Sequence, residues 1–363
     1  MGQIVNFCAG VEPHVLPAKR VDAILVNVPD AAVSDSAKYS TLRLFKIAGT
    51  QKVMLDSGGY QLHVGEGESK TLSFDAEKPL HISETSINLA PVHVMSAAAK
   101  LKPDIVMALD FPIRKTDDPA EQALEFMRKV GFNAIWARQC SELRTLFCPD
   151  VQLFLPIQCF NLNQLDQFIG MIPGVDCDGF SMPIRNMSDQ KIILFMVRFY
   201  QMGTRRVHLL GTSAIFAIAI AAYMARHYFD WVSFDATTWR KWADYSVYMN
   251  PYNLLQSTIS SNMIIDESIP MDCQCPFCEE KTYTYMKNMP ENERRNLLRC
   301  HNWWAIEKAT RDLYENSGNL IELERCLRGR GVDFTRLDQF CNAMALADTL
   351  KNEDISLLAN AIF

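Results

Sequence analysis

Seven short apolar runs, separated by longer segments, constrain the fold of this 363-residue chain more than any other feature. They are residues 23–28 (AILVNV), 52–59 (KVMLDSGG), 104–110 (DIVMALD), 151–158 (VQLFLPIQ), 178–183 (DGFSMP), 206–211 (RVHLLG) and 231–235 (WVSFD). Between them lie stretches of helical period, such as PAEQALEFMRKVGFNAIWARQ from Pro119 and SDQKIILFMVRFYQMG from Ser188. Strands that are apolar throughout, alternating with helices, belong to a parallel sheet covered on both faces. Seven in series predict an α/β chain folded as a (β/α)8 TIM barrel rather than an open sheet. The eighth strand is expected near residues 262–266 (NMIID).

A second pattern follows the last run. Cys273, Cys275 and Cys278 form a C-x-C-x-x-C motif, and His301 follows on a predicted helix. Three thiolates and one imidazole make a closed tetrahedral zinc site, which is structural because no position is left for water or substrate. Buried thiols without a metal are the alternative, but three cysteines in six positions of a loop-like stretch argue against it. The chain is therefore read as a barrel catalytic domain over residues 1–265. Residues 266–363 form a zinc-binding subdomain with C-terminal helices, in which Trp303 and Trp304 pack beside the metal.

Composition narrows the class further. The chain is 48% hydrophobic and 21% charged, as soluble globular proteins are. It holds no apolar run of about 18 residues, so no membrane span is expected. The first residues lack the pattern of a secretory signal. Eleven scattered cysteines form no disulfide framework, which predicts a reduced, cytoplasmic setting. A net charge of −6 argues against broad nonspecific binding of nucleic acid. Local basic candidates are Arg294, Arg295 and Arg299, and Arg240 with Lys241; an ordinary solvated charged face is the equal alternative.

Polar residues fall where the predicted strands end: Asp56, Asp110, Gln158 and Asp235. In a barrel of this kind the active site is built from the carboxyl ends of the strands. One aspartate there can be a helix N-cap; four polar residues, three of them carboxylates, point to a site.

These residues together resemble the tRNA-guanine transglycosylases, a family that includes DNA-modifying 7-deazaguanine transglycosylase relatives. Asp56-Ser57-Gly58-Gly59-Tyr60-Gln61 matches the family's D-S-G-G-[FY]-Q motif. DIVMALD matches its D-I-x-M-x-x-D strand, and Asp178-Gly179-Phe180 its D-G-[YF] strand start. HLLG, followed by a helix and a strand ending in Phe-Asp, matches its nucleophile region. The cysteine run with His301-Asn302 matches its zinc signature, so the likeness spans residues 23–302.

The resemblance implies exchange of guanine in a polynucleotide for a 7-deazaguanine base, by double displacement. Asp235 is the implied nucleophile on the anomeric carbon, forming a covalent glycosyl ester as retaining glycosidases do. Asp56 is the implied general acid/base. Asp110 accepts hydrogen bonds from the base edge, Gln158 holds the base carbonyl, Tyr60 stacks on the base plane, and Gly58 and Gly59 let the backbone approach it. A structural zinc and a homodimer are implied as well. The segment YFDWVSFDATTW holds two Phe-Asp pairs. Spacing from Gly211 favours Asp230, whereas placement at a strand end favours Asp235.

Two stretches depart from the family pattern. Pro183 stands in the stretch where the family has Gly-Gly-Leu and offers no amide donor. Ala236-Thr237-Thr238-Trp239-Arg240 replaces a Pro-Thr-Arg run that helps tRNA enzymes read the anticodon loop. DNA-modifying relatives carry a small or hydroxyl residue after the aspartate. The reading favours tRNA, on the Gly-Gly-Tyr-Gln motif and the zinc signature, with DNA as the alternative substrate. A catalytically silent RNA-binding subunit is a further alternative, against which the three strand-end carboxylates stand. A zinc-dependent hydrolase is excluded by the closed ligand set.

Overall fold

The computed structural model describes residues 2–11, 21–28, 51–59, 80–82, 87–185, 187–259, 273–278 and 281–353. In chain order its first elements are β1 (Gln3–Cys8), β2 (Ala23–Asn27), β3 (Lys52–Asp56), β4 (Leu80–Ile82), β5 (Ile87–Leu89), α1 (Pro91–Leu101), β6 (Ile105–Met107) and α2 (Pro119–Phe147). There follow β7 (Gln152–Pro156), α3 (Leu162–Met171), β8 (Gly179–Pro183), α4 (Asp189–Gln201), β9 (Arg206–Leu210), α5 (Ile215–His227) and β10 (Trp231–Ala236). The chain ends with α6 (Thr238–Asp244), β11 (Val247–Met249), β12 (Gln256–Thr258), α7 (Tyr283–Asn288), α8 (Glu291–Glu315), α9 (Leu320–Gly329) and α10 (Phe334–Leu350).

Eight strands close into a barrel in the ring order β1, β10, β9, β8, β7, β6, β3, β2. The pairs β1–β10, β2–β3, β3–β6, β6–β7 and β7–β8 run parallel. The chain is thus an α/β barrel, and all seven predicted strands belong to it. The eighth corrects the expectation: it is β1, at the N-terminus, not residues 262–266, which lie outside the described residues along with the expected boundary at 265. Gln3 and Asn6 interrupt the apolar run of QIVNFC and so hide it from a hydrophobic pattern; pairing along the whole of β10 makes it a barrel strand.

Two compact units divide the chain. One comprises Asp22–Pro183 with Arg206–His208; the other comprises Met1–Val21, Ile184–Arg205 and Leu209–Phe363. The first holds β2, β3, β6, β7 and β8 with α1, α2 and α3, and the antiparallel pair β4–β5. Its strand starts are tied by aspartates. The Asp104 carboxylate accepts from the Val53 amide at 2.7 Å, and the Asp178 carboxylate from the Leu153 amide at 2.8 Å. The D-I and D-G-F motifs therefore have a structural use, since each aspartate satisfies an amide of the neighbouring strand. Helix α2 begins at Pro119 with Asp118 as its N-cap, accepting from Ala120, the usual arrangement for a sharp helix start.

The second unit is built around α5. Ile215 to Ala225 are buried all round this helix, as expected of a segment that is apolar on every face. No helix among the described residues is long and apolar enough to cross a membrane. Helix α10 is tied to this unit by polar contacts. The Asp348 carboxylate accepts from both Tyr223 and Tyr228, and the Arg336 guanidinium forks onto Asp189 at 2.6 and 2.8 Å. In the same unit β11 and β12 form an antiparallel hairpin.

Candidate active site and metal centre

Asp110 is the hub of the first unit's polar cluster. It follows β6, is only 7% exposed, and takes hydrogen bonds on both oxygens. Gln158 Nε2 donates to Oδ2 at 2.6 Å, and Ser57 Oγ donates to Oδ1 at 3.1 Å. Burial raises the carboxyl from its ordinary 3.8 to about 6, and the two hydrogen bonds offset only part of that rise. Gly59 sits against this group: a Cβ there would lie 2.7 Å from the Asp110 backbone oxygen and closer still to its carboxylate. The close approach that makes Gly59 a glycine is thus to Asp110. Gly58 has a φ of +86°, a conformation that side chains disfavour. Asp56, half-buried, ends β3, while Tyr60 lies outside the described residues.

The loop carrying Asp110 is held from one side of α2, a contribution not foreseen from the sequence. Asn133 accepts from the Phe111 amide at 2.6 Å and donates to the Phe111 carbonyl at 3.1 Å. Lys129, 1% exposed, donates to the Pro112 carbonyl at 3.0 Å, pairs with Glu125 and lies over the Phe111 ring. Cys140 Sγ accepts from the Leu109 amide. Lys129, Asn133 and Cys140 lie on one side of a helix and grip residues 109–112 from both flanks of the carboxylate. A buried lysine is rare unless paired. Here its charge is matched, and its position four residues before Asn133 was the available sequence signal.

In the second unit Asp235 is the penultimate residue of β10, also 7% exposed. Its Oδ1 accepts from the Gly211 amide at 2.8 Å, and its carbonyl accepts from the Thr212 amide. Gly211 adopts a φ of +74° to present that amide. Asp230, by contrast, is exposed and precedes β10 at the opposite end of the strand. The segment after Asp235 folds back on its own unit. Trp239 Nε1 donates to the Ala9 carbonyl at 2.9 Å, and Arg240 donates to the Gly10 carbonyl at 2.8 Å.

Cys273, Cys275, Cys278 and His301 come together in the same unit, all buried, with their ligand atoms within 4.8 Å of one another. The three sulfurs lie 3.3–3.4 Å from His301 Nδ1. Tetrahedral bonds of ~2.3 Å to sulfur and ~2.1 Å to nitrogen place such atoms about 3.5 Å apart, so the four residues fit a metal ion. His301 Nε2 meets the Met249 carbonyl at 2.8 Å, which sets the ring's orientation, and Tyr248 stacks on the imidazole. Trp304 packs against this cluster and Trp303 against Trp239. Asn302 reaches three backbone groups: it accepts from the Met249 amide and donates to the Val247 and Trp239 carbonyls. The ligand's neighbour therefore ties the metal centre to β11 and to α6.

The suspected basic clusters are mostly consumed internally. Arg299 pairs with Asp244, Arg295 with Glu291, and Arg294 bonds Ser246 and the Lys287 carbonyl. Arg240 is held as described, and Lys241 is exposed.

The family model for queuine tRNA-ribosyltransferase matches residues 29–316. The chain belongs to this family. A tRNA-guanine(15) transglycosylase of Pyrococcus abyssi (strain GE5 / Orsay) is 22% identical over 310 residues, covering 82% of this chain and 46% of that protein. Those of Thermococcus kodakarensis and Pyrococcus furiosus are 25% and 27% identical over 210 and 214 residues, covering 56% and 58% of this chain and 33% of each relative. The chain spans less than half the length of these curated relatives. Within the queuine tRNA-ribosyltransferase match lie Asp56, Asp110, Gln158, Asp235 and the Cys3His cluster.

Elemental analysis is expected to give one metal ion per chain, and Cys275→Ser to lose the metal and destabilise the second unit by several kcal/mol. The raised Asp110 carboxyl binds a proton in the folded state that the unfolded chain has released. Its contribution to stability is therefore lost as pH rises from 3.8 through about 6. Asp110→Asn removes this dependence: its melting temperature relative to the native chain should rise between pH 4 and pH 7, and a flat difference would contradict the assignment.

Proposed function

We propose that this chain exchanges guanine in a nucleic acid, with tRNA the favoured substrate, for a 7-deazaguanine base. The observation that carries the reading is Asp235, a buried carboxylate at the carboxyl end of its strand, oriented by the Gly211 amide. Breaking an N-glycosidic bond develops positive charge on the sugar, which an oriented carboxylate stabilises and then traps. Asp235 is thus the nucleophile, and the intermediate is an aspartyl-glycosyl ester, displaced in turn by the incoming base. The departing guanine needs a proton and the incoming base must lose one; Asp56 serves as the acid/base for both.

The Asp110–Gln158–Ser57 cluster supplies the base-binding chemistry. An ionised carboxylate accepts hydrogen bonds only, so it suits the N–H donors on the edge of guanine. Gln158 donates one amide hydrogen to the Asp110 carboxylate, and its second amide hydrogen is assigned to the base carbonyl. Tyr60 is assigned to stacking. The target nucleotide must be swung out of any helical stack before this chemistry is possible. The metal is zinc, held by the three thiolates and His301 in a closed set that gives it a structural role. A cytoplasmic homodimer completes the reading.

One observation favours DNA as the second reading. The segment after Asp235 commits Trp239 and Arg240 to backbone carbonyls of Ala9 and Gly10. That leaves fewer groups in this stretch for contacts with an anticodon loop.

The test is incorporation of radiolabelled guanine into tRNA and, in parallel, into single- and double-stranded DNA. Label in tRNA is expected; label in DNA alone selects the second reading, and label in neither defeats both. Asp235→Asn should abolish covalent trapping of substrate, a loss of at least about 10³-fold in turnover. Asp230→Asn should leave trapping intact, and the reverse result would move the nucleophile to Asp230. Because the carboxylate form of Asp110 binds the base, guanine affinity should fall as pH drops below about 6, by up to about tenfold per unit, and Asp110→Asn should flatten the profile.

A further inference from the structure

Ser181 is wholly buried on β8, and its hydroxyl has no hydrogen-bond partner. Buried polar groups are almost always paired, so a lone buried hydroxyl calls for an explanation. Its surroundings supply one. Strand β8 lies in register with β7, Gly179 opposite Phe154, Phe180 opposite Leu155 and Ser181 opposite Pro156. In a parallel pair, residues in register share a face, and alternate residues along a strand share it too. Gly179, Ser181 and Pro183 therefore lie on the face of Phe154, Pro156 and Gln158. The Phe154 ring identifies that face directly, because a Cβ on Gly179 would lie 2.8 Å from it. The Ile157 amide donates to the Ser181 carbonyl at 2.7 Å, so the register persists up to Gln158.

The hydroxyl thus sits one side-chain layer beneath the Gln158 amide that holds Asp110. One layer below it the Phe154 ring lies against Gly179. Beside it Pro156 brings no donor, and neither does Pro183 above it on the same face. Within this unit, Ser181 supplies the one neutral hydroxyl on β8 facing the layer of the polar cluster. A hydroxyl donates as readily as it accepts, whereas ionised Asp110 only accepts. The two groups are complementary to a base that presents N–H donors on one part of its edge and a carbonyl on the next.

Resting on the base-exchange reading, we infer that Ser181 is a binding residue for the free base, donating its hydroxyl hydrogen to the exocyclic carbonyl oxygen of a 6-oxopurine or its 7-deaza analogue. The test compares guanine with 2-aminopurine, which lacks that oxygen, on the full chain and on Ser181→Ala. Binding is read by calorimetry. Loss of one neutral hydrogen bond should weaken guanine binding by about three- to tenfold in Ser181→Ala. It should leave 2-aminopurine unchanged. The melting temperature should hold or rise, since the substitution removes an unpaired buried group. Unchanged guanine binding in Ser181→Ala overturns the assignment, as does an equal loss for both bases, which would mean that the hydroxyl only packs. Ser181→Cys, close in shape and a weak donor, should fall between the two chains for guanine; affinity at the native level overturns the donor role. If the native chain binds no guanine, and Asp110→Asn changes nothing, the base-exchange reading fails and this inference fails with it.

Discussion

The parallel pairing of β1 with β10 is the constraint on which the second unit depends. Parallel strands are stable only when buried on both faces, and an unpaired edge exposes a row of amides and carbonyls. Gln3 to Cys8 satisfy that edge residue by residue along Trp231 to Ala236. Phe7 stands opposite Asp235, and Cys8 opposite Ala236, so the strand that carries the carboxylate is held to its last residue. The segment that follows returns to the end of β1 through Trp239 and Arg240. A six-residue strand thereby supports both the residue assigned to attack and the turn beyond it.

The first unit solves a different problem: keeping a carboxylate out of water. Burying Asp110 costs free energy, as its raised carboxyl shows, and the hydrogen bonds of Gln158 and Ser57 offset part of that cost. Those bonds are useful only if the loop cannot move. Helix α2 provides that rigidity with Asn133 gripping both backbone groups of Phe111, and with Lys129 anchoring the next residue. A site whose supporting groups are themselves hydrogen-bonded and packed is the arrangement that preorganised binding requires. Gly59 belongs to the same construction, because any side chain there would displace the carboxylate it faces.

The metal centre links local order to the neighbouring elements. Its ligands come from a short stretch, residues 273–278, and from one helix. Asn302, next to the ligand His301, carries the contact outward to β11 and α6. Fixing four ligands therefore also fixes the backbone that follows β10. The proposed structural role of the metal agrees with a ligand set that has no open position.

Much of this was legible in the chain itself. Apolar runs of five to eight residues report buried parallel strands because every side chain in them is covered. Cys273, Cys275 and Cys278 announce their site because ligand spacing is a local property. Asp56, Asp110, Gln158 and Asp235 stood out because each ends an apolar run. Tertiary structure alone decided the rest. The eighth strand proved to be Gln3 to Cys8, whose two polar residues hide it from a hydrophobic pattern. Lys129 and Asn133 proved to serve Asp110, and the arginines of the suspected basic patches proved to pair within the chain. Asp235 and Asp230 sit in near-identical words of sequence, yet one ends a strand and the other precedes it. The physical reason is the same in each case. Periodicity records how much a residue is buried, while hydrogen-bond partners distant in sequence are chosen only when the closed barrel brings them within three ångströms.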